Sequence, residues 1–332
     1  MKKGVSAGFS CVGAMVGAGF ASGREVMVFF TRYGWHSWWL IALAGVVIAW
    51  LCGLCMQEGN EKEWTALFGS GKRLAVLVSC GLMIITSGAM IAAAGHLIAL
   101  LWANEWAYAI GASATVFLAW MVSGGSVRIL GWISALLSIL LVCVLIFARG
   151  LPAQGGAVLK TEDSFAELMG AGLFSASYAA MNMMLAVGVV SRCTGSGRWV
   201  PWGVGLAIGL LLGLSNALYI RHPEMLEAGF PLIALLNRFG RAGFLTGVIL
   251  LYLSVFTTLT AVICALRTAF ESRIANRSLS MALTLGLPLA VSRAGFSGIV
   301  DGMYAPAGLI CLLTVCVPLQ LKRRQRKQGL DF

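Results

Sequence analysis

Long apolar runs, separated by small groups of charges and by glycine-rich breaks, divide this chain into ten stretches. A helix needs about 20 mainly apolar residues to cross a hydrocarbon core. The stretches fall near residues 4–31, 35–57, 74–101, 106–122, 126–148, 165–190, 199–220, 242–270, 279–293 and 297–320, the fourth and ninth being short. The pattern predicts an all-α integral membrane protein with ten transmembrane helices. Most connections are short, so the whole chain, 1–332, reads as a single transmembrane domain. Two connections are longer. Residues 58–73 mix Glu58, Glu61, Lys62 and Glu63 with Trp64, Leu67 and Phe68, as an interfacial helix does. Residues 221–241 read as a helical hairpin, either capping a vestibule or lying passively on the surface.

Within this pattern two stretches carry nearly the same phrase. Val16-Gly17-Ala18-Gly19-Phe20-Ala21-Ser22 in the first is matched by Met169-Gly170-Ala171-Gly172-Leu173-Phe174-Ser175 in the sixth. Glycine adds backbone freedom and forfeits packing inside a helix. Weak points in corresponding places of two halves predict helices that unwind around a bound solute, the arrangement of a secondary transporter.

Composition agrees with a lipid environment. Apolar residues make up 59% of the chain and charged residues 11%, with a mean hydropathy of +0.88. The formal net charge of +11 is read as topological and not as a nucleic-acid footprint, because no basic face on a soluble module accompanies it. Of the 24 Lys and Arg residues, about two-thirds fall on one face, including the tail cluster Lys322, Arg323, Arg324, Arg326 and Lys327; the positive-inside rule then puts both termini in the cytoplasm. Lys2 and Lys3 precede an apolar run that continues through Arg24-Glu25 without a cleavage site, so the first span is expected to remain in the mature chain. The nine cysteines fall mostly within spans, and Cys52-x-x-Cys55 has no further ligand nearby; neither disulfides nor zinc are expected.

Catalysis is the rival reading from another class. Gly295-Phe296-Ser297-Gly298 has the pattern of rhomboid proteases, but that serine needs a histidine base from a later helix, and His36, His96 and His222 all precede it. An intramembrane protease is therefore disfavoured, and no enzyme is expected. His96 fits a packing or vestibule role as well as a proton relay. Ser254-Val255-Phe256-Thr257-Thr258 in the eighth span places Ser254, Thr257 and Thr258 on one helix face. Hydroxyls and released carbonyls are hard oxygen ligands for a small cation, although Ser and Thr can equally back-bond to their own helix and bend it.

The phrase Val16 to Ser22, extended by Gly23-Arg24-Glu25 and followed by Phe29-Phe30, resembles the YkvI family of bacterial membrane proteins, within the amino acid, polyamine and organocation superfamily. That resemblance implies a LeuT-like fold of two inverted five-helix repeats, about 4–149 and 164–320, with helices 1 and 6 broken, a basic cytoplasmic tail at 321–332, and residence in the bacterial cytoplasmic membrane. It further implies a sodium site formed by carbonyls of Gly13 and Val16 with the Ser254 carbonyl and the Thr257 and Thr258 hydroxyls. Some proton-coupled relatives place a lysine from the fifth helix there; the fifth span here has none, which favours sodium.

By the same resemblance the solute lies against Gly17, Ala18 and Gly19 on one side and Phe174, Ser175, Ala176, Ser177 and Tyr178 on the other. Bare amides at a half-helix N-terminus suit a carboxylate and free carbonyls suit an ammonium, so an amino acid satisfies both. Phe174 and Tyr178 either cover the solute or pack ordinarily, and Asn182 bonds a neighbouring helix or the solute. No carboxylate is expected at either break, which argues against polyamines. Arg24 and Asp301, both in the outer leaflet, are expected to close a gate over the solute, against the plainer reading that Arg24 snorkels and Asp301 caps a helix. Gly205, Gly209 and Gly213 read as a close-contact stripe. The expected function is sodium-coupled alternating-access transport of a small amino acid or amine, with no cofactor; proton coupling, a quaternary-amine passenger, or a non-transporting sensor or scaffold are the alternatives.

Overall fold

A computed structural model describes residues 2–58, 71–102, 104–124, 127–152, 165–193, 195 and 197–314. The expected interfacial helix at 58–73, apart from its ends, and the basic tail lie outside these residues. Regular structure among them is helical throughout: α1 (Lys2–Met15), α2 (Ala18–Ser22), α3 (Arg24–Phe29), α4 (Ser37–Glu58), α5 (Lys72–Leu101), α6 (Ala107–Val122), α7 (Val127–Ala148), α8 (Phe165–Val190), α9 (Val200–Tyr219), α10 (Pro231–Leu236), α11 (Gly240–Glu271), α12 (Arg277–Ser292) and α13 (Phe296–Gly302), followed by α14 (Tyr304–Thr314).

Among the described residues, five segments are long and apolar enough to cross a membrane: Thr31–Gln57, Lys72–Leu101, Glu167–Val190, Val200–Tyr219 and Pro231–Glu271. A sixth arises if α12 and α13, bent 89° at their junction, form one broken span. The outer faces support the assignment. Leu77, Phe117, Leu136, Phe147, Leu206 and Leu210 are exposed, apolar surface that water would penalise and hydrocarbon does not. Trp35, Trp106, Trp199 and Trp202, exposed near helix ends, are placed as interfacial anchors. The chain is a multi-pass membrane protein.

Local sequence explains where the helices start and turn. Asn276 caps α12 by accepting from the Leu279 amide at 3.1 Å, and Pro231 sits in the first turn of α10, where its missing N–H costs nothing. α4 packs on α8 and α9, α5 on α6, α11 and α12, and α1 on α8 and α9. The small-residue stripe operates at one point: a Cβ on Gly205 would come within 2.7 Å of Ala49 Cβ, and one on Gly45 within 3.0 Å of the Gly205 carbonyl. The two backbones are in contact there. Gly213 faces Trp38 more loosely, and a Cβ on Gly209 would meet nothing within 4 Å.

Two expectations are corrected. α8 runs unbroken through Met169 to Ser175, so the sixth stretch carries no interruption. Glycine allows a break but does not impose one, and nothing beside Gly170 or Gly172 takes over a backbone bond; Gly172 simply lies along Trp39 and Leu43. Residues 221–241 contain no pair of helices but the six-residue α10 between 3-10 turns at Pro223–Glu227 and Asn237–Phe239.

Candidate functional site

The interruption in the first stretch is real and has two hinges. The Val16 amide donates to the Val12 carbonyl at 2.9 Å, and the next helical bond runs from the Ala21 amide to Gly17 at 3.1 Å. In between, the carbonyls of Gly13, Ala14, Met15 and Val16 receive no helical hydrogen bond. Such groups need partners from elsewhere when they lie at membrane depth. One amide freed by the same break has found a partner: the Ala18 N–H donates to Thr258 Oγ1 of α11 at 3.3 Å, and a Cβ on Gly17 would touch the same side chain at 3.6 Å. The second hinge is Gly23, whose φ of 82° lies in the left-handed region that favours glycine. A Cβ there would strike the ring and hydroxyl of Tyr219.

Of the eighth-span hydroxyls, Thr258 meets this break, while Ser254 and Thr257 bond within their own helix. Ser254 Oγ donates to Leu250 O at 2.9 Å, and Thr257 Oγ1 donates to Ser254 O at 3.1 Å. These bonds are the helix-bending pattern, while each hydroxyl oxygen keeps lone pairs. Thr258, as acceptor, is the member that joins the two elements.

On the opposite wall, α8 presents side chains and not free backbone. Ser175 Oγ donates to Leu40 O of α4 at 2.7 Å, and Ser177 Oγ to Phe174 O at 2.7 Å. Asn182 Nδ2 donates to Tyr178 O within its own helix at 3.0 Å. Ala176 follows in the same unbroken turn. Tyr178 is buried between Phe29 and Phe30, with ring centroids at 5.2 and 5.1 Å, and Phe174 lies 6.1 Å from Phe29. His96, which is exposed, stacks edge-on to Tyr108 at 4.9 Å.

Arg24 and Asp301 meet. Arg24 Nε donates to Asp301 Oδ1 at 2.9 Å and Nη2 pairs with Oδ2, the two-pronged geometry of a guanidinium on a carboxylate. Arg24 Nη1 also donates to the carbonyls of Leu226 and Ala228, tying α3, α13 and the 223–227 turn together. Beside this turn, His222 Nδ1 lies 3.3 Å from Glu224 Oε1, and Arg238 Nη2 donates to Glu224 at 2.6 Å. Burial, together with the positive charge of Arg238, holds the His222 imidazole below its ordinary pKa. Glu224, although partly buried, is held below the usual carboxylate range by a backbone hydrogen bond and Arg238.

Sequence reasoning missed Glu25 as part of the break. Its side chain is 7% exposed, and its carboxyl occupies the space where a Cβ on Gly19 would project. The expectation that no carboxylate adjoins either break is thereby overturned. The signal was present in the phrase itself: six residues beyond Gly19, an acid inside an apolar stretch has few places to go.

No protein-family model matches the chain. Over 98 residues it is 35% identical to an uncharacterized membrane protein, YkvI, of Bacillus subtilis (strain 168), an overlap covering 27% of this chain and 28% of that protein. The chain thus matches little more than a quarter of that relative's length. The likeness supports a membrane protein and carries no substrate or ion with it.

Proposed function

We propose that this chain is a secondary transporter that moves a small amino acid or related amine across the cytoplasmic membrane by alternating access, coupled to sodium, in a ten-helix LeuT-like arrangement with both termini cytoplasmic. The observation that carries the reading is the double interruption of the first stretch at Gly17 and Gly23, with a backbone amide of the break bonded to Thr258 of α11. Unwound backbone inside a membrane is tolerated where it lines a polar space, and it supplies the ligands that replace water for a passenger.

In this reading the sodium ion takes the Gly13 and Val16 carbonyls with oxygens of Ser254, Thr257 and Thr258. The passenger is held by the backbone at Gly17 to Gly19 and flanked by Phe174 and Tyr178. Because α8 is continuous, its residues 175 to 177 contribute shape and not bare amides. The Arg24–Asp301 pair forms the lid on the outer side. The test is counterflow in proteoliposomes with and without a sodium gradient, using a panel of amino acids and amines. Sodium-stimulated exchange supports the reading; binding without counterflow for every solute refutes it and favours a sensor or scaffold.

A further inference from the structure

Arg24 and Glu25 are adjacent but point apart. Arg24 turns to Asp301 and two carbonyls, whereas Glu25 turns into the core, where no hydrogen bond or ion pair reaches its carboxyl among the described residues. Leaving a carboxylate ionised and unpaired in such a place costs several kcal/mol, so the group is neutralised either by a proton or by a cation.

The surroundings indicate which cation. The phenols of Tyr178 and Tyr304 lie in the neighbourhood of the Glu25 carboxyl. Tyr304 Oη and Thr86 Oγ1 are buried beside one another, and the carbonyls of Ala14 and Met15, which accept no helical hydrogen bond, precede in sequence the Gly19 against which the Glu25 carboxyl packs. The other titratable or charged groups on elements packed against α3 are engaged elsewhere or removed. Arg24 is held by Asp301, Arg32 stacks on Tyr33 at 5.5 Å, Tyr219 closes on Gly23, Glu224 pairs with Arg238, Glu167 lies in the first turn of α8, and His36 and Glu227 are the last residues of their 3-10 turns. Oxygen acceptors in the neighbourhood of one buried acid, together with the Tyr178 ring on which Phe29 and Phe30 pack, suit a head group with several N–H donors and a positive charge.

We propose that Glu25 is the counter-charge for an organic ammonium, and that it carries a proton when that cation is absent. Binding then exchanges one cation for another: the protonated carboxyl and R–NH3+ give a carboxylate–ammonium pair, and the released proton goes to solvent. This rests on the transporter reading only in naming the ammonium as the passenger; the site stands on its own geometry.

The experiment uses the full chain in lipid films, perfused with methylammonium or propylammonium and followed by infrared difference spectroscopy. Each cation should remove the C=O stretch of a protonated carboxyl and raise carboxylate bands in wild type, and neither change should occur in Glu25→Gln. Apparent affinity should fall about tenfold per pH unit of acidification while the acid is protonated. If Glu25→Gln fails to fold, Glu25→Asp must shift the frequency of the same band. No carboxyl band, or a band that neither ammonium removes, overturns the proposal, as does sodium removing it while both ammonium probes are silent. Counterflow separates the two claims: exchange that survives Glu25→Gln with unchanged pH dependence sinks this site and leaves transport standing. Band loss without counterflow does the reverse.

Discussion

Neutralising Asp301 should loosen the cover above the first break by a predictable amount. Breaking one side of a buried ion pair costs about 3–5 kcal/mol, but exposed pairs are worth about 0–1 kcal/mol. Arg24 is 11% and Asp301 40% exposed, so the pair falls between these limits, and screening at Asp301 brings the figure to about 1–2 kcal/mol. If the pair holds a closed state, Asp301→Asn raises the open fraction by about 5–30-fold. Ser22, buried directly before Gly23, reports on this: in Ser22→Cys, labelling of that position by a membrane-impermeant maleimide, read by peptide mass spectrometry, should accelerate by the same factor. Exchanging the charges, Arg24→Asp with Asp301→Arg, should recover only part of the protection. Asp at position 24 cannot donate to Leu226 and Ala228, and a bond to a charged donor is worth about 1.5–3 kcal/mol. An unchanged labelling rate in Asp301→Asn refutes the idea that the pair covers the break, and complete rescue by the exchange refutes the role of the two carbonyls.

Thr258→Val removes the acceptor of the Ala18 amide, which should cost about 1 kcal/mol and abolish sodium-dependent thermal stabilisation; a retained sodium shift counts against the cation site. Gly205→Val should destabilise the α4–α9 contact by about 1–3 kcal/mol, seen as a lower melting point in fluorescence-detected size exclusion. The pH dependence follows from His222 and Glu224. With the His222 pKa lowered from 6.5, the folded state binds fewer protons than the unfolded, so stability is full above 6.5 and declines as pH falls below it. Glu224, lowered from 4.5, adds a further loss only below that value. His222→Gln should flatten the first decline in thermal melts at graded pH and leave the second. Cys11 Sγ and Cys193 Sγ lie 3.8 Å apart, so a mild oxidant should join α1 to the segment after α8, detectable as a crosslinked peptide pair, and should arrest counterflow.

The lipid-borne helices were legible because apolar runs of this length have few other homes, and the ranges expected for α4, α5, α8, α9 and α11 agree with the structure to within a few residues. The two glycine phrases show where such reading stops. Both permit unwinding, but only the first meets a side chain from another helix that accepts an orphaned amide, at Thr258, and only the first is followed by a glycine in the left-handed region, at Gly23. At α8 the polar side chains near the phrase spend their hydroxyls on existing carbonyls, so the helix has nothing to gain by opening. The meeting of Arg24 with Asp301 was expected from their shared outer position together with the gate that the family resemblance implies. The direction of Glu25 was not, because adjacent residues on a helix diverge and only the packing around Gly19 decides where the second one goes.

The unbroken α8 also has a mechanical meaning. A rod without a joint transmits displacement along its length, whereas a chain swivelling at Gly17 and again at Gly23 absorbs it locally. In the proposed alternating-access cycle, motion would therefore be lopsided, with one stiff lever working against one articulated arm, and strain would gather in the short piece between the two swivels.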